Sequence, residues 1–511
     1  MTLRNLAPGI AAFTAAVLVA LIGLAASADP PSGAGADRQG VVKLRLLGVN
    51  DLHGHLEPPR PGIGGAAWLA THLDRATLPG RTIRVHAGDM VGASPLVSSW
   101  FHDEPTIEAA NEIGFDVGTL GNHEFDEGGD ELLRLLRGGR RNGPEALKRD
   151  ASGALVNTSA PDFAGADFPY VAANTIDADG QPLLPPFRIV ERAGARVGFI
   201  GVTTTSTPGF LLPRHSARFR FPDISDTVNR WVPELQARGV QAIVVLAHSG
   251  AHTEPSDTTS AAGEIVGEAG QMSDAVDVVI AGHSHSLLNL RVPNLSGDGD
   301  KLVVEALSYG VAYDRVDLAV DTATGEVVSK SASVPATTHG ELAPDAEVGA
   351  LVESYATRVG PLADRVLGEA PAPLTRANGA LGQLAADAQR AFAKTDFALV
   401  NPGSVRADLD AGPLTYAELF EVHPYDFDLV RKRMSGRELT DLLASHATGS
   451  PGPTLYVSGP VDTLDPDASY TVVANELIAT GDGFPALRDG GPAEATAGTE
   501  VEALAAFAEH R

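Results

Sequence analysis

The sequence predicts an α/β protein: a layered N-terminal domain with a buried sheet, followed by a second, smaller α/β domain. Two observations predict it. Between Val41 and about Val334, short apolar runs rich in Val, Ile and Leu alternate with helical patterns, as strands buried on both faces require. Beyond about residue 368 the pattern changes to amphipathic helices with capping signatures and a few intervening strands. The chain has 511 residues, of which 43% are hydrophobic; at roughly 100–200 residues per domain, that is ample for two packed cores.

The first segment is set apart. Met1 to Ala28 carries one charge, Arg4, and an apolar run from Ile10 to Ala26 that closes on Ala26-Ser27-Ala28. This small-x-small ending predicts a signal peptide over residues 1–28, with an uncleaved N-terminal anchor as the alternative. Residues 29–40 (DPPSGAGADRQG) read as a disordered spacer. No later apolar run is long enough to span a bilayer. The expectation is therefore a secreted or cell-envelope protein with no stable membrane anchor after cleavage. Cysteine is absent, so the fold relies on its core or on metals, and any metal site must draw on His, Asp, Glu and Asn. Net charge is −27, and −28 once Arg4 leaves with the signal. That balance disfavours nucleic-acid or anionic-membrane partners. A small anionic substrate fits only where metals and a few arginines reverse the field locally. Nothing in the sequence fixes an oligomeric state.

In the first domain, residues 41–342, strands are predicted at Val41–Val49, Thr82–Val85, Val117–Leu120, Val197–Val202, Ala242–Ala247, Val276–Ala281 and Leu302–Ala306, with helices at Gly65–Ala76 and Thr106–Ile113. Residues 343–368 carry Val348, Leu351, Val352 and Tyr355 at helical spacing and read as a connector helix and hinge. In the second domain, residues 369–511, Leu381, Leu384, Ala385, Ala388 and Phe392 make one face of a helix at Asn378–Ala393. Thr415 with Glu418 and Ser435 with Glu438 are capping boxes. Strands are expected at Phe397–Val400, Leu429–Lys432, Thr454–Val457 and Tyr470–Ala474.

The chemistry lies just past the apolar runs. LLGVN leads into Asp51 and His53, RTIRVHA into Gly88-Asp89, and DVGTL into Gly121-Asn122-His123-Glu124. AIVVLA leads into His248, and VDVVIA into His283 and His285. Loops beyond the carboxyl ends of strands converge on one crevice in open α/β sheets. Asp51, His53, Asp89, Asn122, His248, His283 and His285 are too many donors for one tetrahedral ion. They suit two ions sharing a carboxylate. Imidazole mixed with hard oxygen favours zinc, manganese or iron over calcium. Two such ions activate water and clamp the oxygens of an in-line displacement at phosphorus. Asp126, three residues after His123, would orient that histidine and raise its pKa, or would cap a helix expected at Glu127–Leu136.

The order DxH, GD, GNHE, H, GHxH resembles the calcineurin-type metallophosphoesterases. The longer strings NDLHGHLEP, LGNHEFDEG and AGHSH, with LGQLAADA, NPGSVRADL and ATGDGF downstream, resemble the secreted bacterial 5′-nucleotidases and UDP-sugar hydrolases. The resemblance runs over roughly residues 41–490. It implies an α/β-β-α metallophosphoesterase domain and a substrate-binding domain. It also implies Asp51, His53 and His285 on one divalent metal, Asn122, His248 and His283 on a second, and Asp89 bridging them. His123 and Asp126 would be the catalytic pair. Substrate would meet Arg376, Asn401, Gly403, Arg406, Tyr425 and Asp482. The family stacks a base between two aromatics; Tyr425 fits the first position, whereas the second falls on Leu477, so that either one face is lost or Phe427, standing where the family has asparagine, replaces it. The expected activity is nucleotide hydrolysis, UDP-sugars included, by attack of a metal-bound hydroxide on phosphorus. A 2′,3′-cyclic-nucleotide phosphodiesterase or a phosphatase for another small phosphoester is the alternative.

Overall fold

The computed structural model describes residues 40–254, 257–446, 455–481, 484–489 and 491–510. The expected signal peptide, nearly all of the spacer, and Asp482 lie outside the described residues.

Two six-stranded sheets form the centre of the N-terminal domain. One runs, in spatial order, Val327–Ser333, Asp314–Asp321, Val41–Val49, Thr82–His86, Val117–Thr119 and Tyr170–Val171. The other runs Leu287–Pro293, Asp300–Ala306, Val278–Ile280, Ala242–His248, Ala195–Thr203 and Phe187–Arg192. Leu44, Leu46, Ile83 and Val85 of the first sheet share one apolar cluster with Phe199, Val244, Leu246 and Ile280 of the second. These side chains sit between the sheets, and burying each contributes about 1.5–3 kcal/mol.

Helices cover the outer faces. Helix Ala66–Ala76 turns Ala66, Leu69, Ala70 and Leu73 inward, a spacing that makes one stripe of a helix, and it clusters with residues of helix Glu104–Ile113 and of the first sheet. On the second sheet, Ile224, Val228, Val232 and Leu235 of helix Ile224–Ala237 and Ile265 and Ala269 of helix Glu264–Gln271 do the same. The result is a four-layer α/β/β/α sandwich. The inner strands match the apolar runs of the sequence. The antiparallel margins Phe187–Arg192, Leu287–Pro293, Asp314–Asp321 and Val327–Ser333 are absent from the predicted strands, because alternating burial leaves them no continuous apolar run.

The connector is a helix, Ala346–Ala363, capped by Asp345, whose carboxylate accepts from Glu347 N and Val348 N. It buries Val348, Tyr355, Val359 and Leu362 in the outer helical layer of the first domain, and the Tyr355 hydroxyl donates to Glu108 at 2.8 Å. A helix docked in this way is a poor swivel. Strand Val366–Ala370 follows it directly, after Asp364 and Arg365.

The second domain is built on a five-stranded sheet in the order Tyr456–Ser458, Phe397–Val400, Ser469–Asn475, Asp428–Ser435, Glu494–Thr499. Helix Ala380–Ala393 packs on it through Leu381, Leu384, Ala385 and Ala388. Thr415 and Glu418 form a complete capping box at helix Tyr416–Val422. Ser435 and Glu438 exchange the same pair of bonds, at 3.2 and 2.7 Å, before helix Gly436–His446.

Candidate active site

Five parallel strands, three in one sheet and two in the other, deliver their carboxyl ends to one edge of the sandwich. Asp51 follows Val41–Val49, Asp89 follows Thr82–His86 and Asn122 follows Val117–Thr119. His248 ends Ala242–His248, and His283 follows Val278–Ile280. The loops are tied to one another: Asp51 N donates to Gly88 O at 3.1 Å and His53 N to Asp89 O at 2.9 Å. The approach is close enough that a Cβ on Gly121 would collide with the Asp89 carboxylate. Asp51, His53, Asp89, His283 and His285 all have positive φ, from 47° to 75°. Such conformations are rare for residues with a side chain and concentrate at functional sites, where the surroundings over-determine them.

The seven donors fall into two groups. Asp51, His53 and His285 bring ligand atoms within 4.8 Å of one another, as do Asp89, His248 and His283. His53 Nε2 stands 3.2 Å from His285 Nε2, and His285 Nε2 stands 3.3 Å from Asp51 Oδ1. Donors bound tetrahedrally at about 2.0–2.1 Å are separated by about 3.3–3.4 Å, so the spacing fits a common cation. Asp89 Oδ2 lies 3.0 Å from His248 Nε2 and 3.6 Å from His53 Nε2, between the two groups. Asn122 Oδ1 lies 3.1 Å from His248 Nε2. The outer ring nitrogens have carbonyl partners: His53 Nδ1 meets Gly92 O at 2.8 Å, and His248 Nδ1 meets Ala87 O at 2.9 Å. With those protons donated outward, both Nε2 lone pairs face the cluster, as in histidines that ligate metals. The residues present therefore fit a pair of divalent cations.

His123 and Asp126 are in contact, with Nδ1 2.8 Å from Oδ2 and 3.0 Å from Oδ1. Asp126 does not cap the following helix, which begins only at Gly129 with no side-chain cap. Burial opposes protonation of His123, but Asp126 and Asp89 outweigh it and raise the pKa.

Glu124 has no role assigned by the GNHE string alone. Its buried carboxylate accepts from Asp89 N at 2.9 Å, Met90 N at 2.8 Å and Gly121 N at 2.5 Å, clamping two donor loops together. Asn50 works in the same way, its amide donating to Asp51 Oδ2 at 2.7 Å and to Leu307 O at 2.6 Å. Only the folded loops reveal these partners.

The second domain closes over the donors. Tyr425 stacks near His123, with ring centroids 5.5 Å apart and planes 26° apart. Arg406 lies in a cavity of about 410 Å³ lined by Asp89, His123, His283 and His285 from one side and by Asn401, Gly403 and Tyr425 from the other. Its guanidinium, charged at any working pH, lies 5.9 Å from the Tyr425 ring centre. Arg376 is not among the lining residues; its Nε sits 3.4 Å from Asp408 Oδ1 on an exposed surface. Phe427 is not a second face opposite Tyr425, because the two rings stack directly at 5.3 Å and 13°. Leu477 lines the cavity.

A layered sandwich with paired metal donors at its strand ends defines a metallophosphoesterase. Residues 44–287 match the calcineurin-like phosphoesterases, and residues 366–463 match the 5′-nucleotidase C-terminal domain. The chain belongs to the 5′-nucleotidase family of metallophosphoesterases, which joins these two domains. It is similar to the endonuclease YhcR of Bacillus subtilis (34% identical over 86% of this chain and 37% of that protein). It is also similar to the cell wall protein Lmo0130 of Listeria monocytogenes (33%, over 88% and 62%). The chain thus spans less than two thirds of both relatives. Among solved structures, a 5′-nucleotidase precursor from Thermus thermophilus superposes with a TM-score of 0.75 at 27% identity, covering 92% of this chain and 96% of that one.

Proposed function

We propose that this chain is an exported, metal-dependent phosphoesterase that releases phosphate from nucleoside 5′-phosphates. The observation that carries the reading is the interdomain cavity. Its volume, about 410 Å³, lies in the range of small-ligand sites, and it joins the metal donors to Arg406 and to the Asn401–Gly403 loop. A phosphate placed at the donors would leave its nucleoside against the second domain.

Asp51, His53 and His285 would hold one cation, and Asn122, His248 and His283 the other, with Asp89 shared. The cations would supply Lewis-acid charge beside phosphorus and a nucleophile at neutral pH. Arg406 would grip phosphate oxygens with its planar fork. His123, oriented by Asp126, would donate a proton or a hydrogen bond to oxygens that gain charge in the transition state. The domain bounds we adopt are 41–342 and 369–511. Support for export comes from the Ile10–Ala26 run and its small-residue ending; the N-terminal sequence of protein recovered from culture medium tests it.

One steady-state panel tests the activity: AMP, ATP, UDP-glucose, a 2′,3′-cyclic nucleotide and bis-p-nitrophenyl phosphate, after chelation and re-addition of zinc, manganese, magnesium or calcium. Phosphate release from AMP should vanish on chelation and return with one of the first two metals. Turnover of the diesters with none of AMP sinks the reading. That outcome favours the second reading, a phosphodiesterase, which the name of the endonuclease relative supports.

A further inference from the structure

The cavity has an aromatic wall that the second domain does not supply. Phe210 ends the 3-10 turn Thr207–Phe210 of the first domain. It is 42% exposed, the one aromatic among the exposed large hydrophobic residues of the described chain. Its neighbours Leu211 and Leu212 are buried, so the segment is anchored while the Phe210 ring is left facing the cavity. That ring meets His283 edge-on, with centroids 5.2 Å apart, which sets it beside the second group of donors.

The other aromatics that line the cavity are engaged: Phe484 packs against the second domain's own core. Tyr425 lies between His123 and Phe427 as nearly parallel neighbours, and the Arg406 guanidinium is 5.9 Å from its ring centre. Leu477 has no π-face. Leu477 nevertheless lines the same cavity as Phe210, and an ion pair spans the domains at this point: Arg214 Nη1 meets Glu476 Oε1 at 2.6 Å. Arg214 lies four residues after Phe210, and Glu476 directly precedes Leu477. The pair brings the segment that follows Phe210 and the start of the helix that bears Leu477 together across the cleft.

We infer that Phe210 is a specificity-determining residue of this site, the stacking face for the nucleobase, contributed by the metal-bearing domain opposite Leu477. The inference rests on the nucleotide reading proposed above. A ring beside the donors suits a base one sugar away from a phosphate held there, and any base offers a π-face to stack. Base binding would then need both domains together, because one wall comes from each.

The test separates base from phosphate. Phe210→Ala and Phe210→Trp are compared with the wild type on AMP and on ribose 5-phosphate, with bound metal measured in parallel. Phe210→Ala should raise KM for AMP about 5- to 100-fold and leave ribose 5-phosphate kinetics and metal content within about twofold. Phe210→Trp should restore AMP binding. Equal losses on both substrates, or an unchanged AMP preference in Phe210→Ala, overturn the inference alone. A wild type that cleaves ribose 5-phosphate but no nucleotide overturns the nucleotide reading and this inference together.

Discussion

Replacing Glu124 by Gln tests whether the donor loops are held by one buried carboxylate. In the native site two oxygens serve three backbone donors: Oε2 takes Asp89 N and Gly121 N, and Oε1 takes Met90 N. An amide has a single acceptor oxygen. In its best orientation it keeps the Asp89 and Gly121 amides and turns its NH₂ group onto Met90 N–H. Burial, the largest influence, raises the Glu124 pKa to about 7, so the comparison is made above about pH 8, where the native group is ionised: two charge-assisted bonds become neutral ones, at about 1 kcal/mol each, and one buried donor is orphaned at about 1–3 kcal/mol. The sum is about 3–5 kcal/mol, a large part of a typical domain stability of about 5–15 kcal/mol. The three tryptophans, Trp68, Trp100 and Trp231, all lie in the first domain, so urea unfolding of the full chain followed by their fluorescence reports on the affected domain. The same change should weaken metal retention about 10- to 100-fold in a chelator titration, since the clamp orients Asp89. An unfolding free energy within about 1 kcal/mol of wild type, with unchanged metal retention, would refute the clamp.

Three further outcomes are expected. Asp126→Asn should lower kcat for AMP by about 10²-fold or more. Asp126 also raises the His123 pKa, so the basic limb of the kcat–pH profile should move to lower pH; an unmoved limb would mean that His123 does not act as the acid. Arg406→Ala should cost about 10- to 100-fold in kcat/KM, the worth of a charge-assisted contact, with Arg406→Lys recovering only part of it; an effect on thermal stability alone would remove Arg406 from the substrate site. Burial, the largest influence, pushes Glu500 from 4.5 up to about 7, against hydrogen bonds from Asn475 and Gln389. A raised acid contributes stability below its unfolded pKa and loses it as pH rises through the folded value. The second domain should thus lose on the order of 2–3 kcal/mol between about pH 5 and pH 8, and Glu500→Gln should flatten that dependence in pH-resolved thermal melts; a parallel dependence in the variant would assign it to another group.

The donor types and their positions were legible in the sequence because both signals are local. A run such as AIVVLA buries itself as a strand wherever it lies, and the polar residue that ends it, His248, falls at a strand end. Capping boxes such as Thr415 with Glu418 are legible for the same reason, since both partners lie within one turn. What tertiary structure alone decided is which distant residues meet. His53 and His285 are 232 positions apart and face each other at 3.2 Å, and no periodicity encodes that distance. Left-handed backbone at five of the donors, the Glu124 clamp and the closure of Tyr425 onto His123 are likewise products of packing between separate layers. The sequence resemblance marked both Arg406 and Arg376 for the substrate site. Folding brings Arg406 over the donors and leaves Arg376 paired with Asp408 at the surface. A guanidinium binds whatever its loop points it at, and the loop's direction is set by the sheet beneath it.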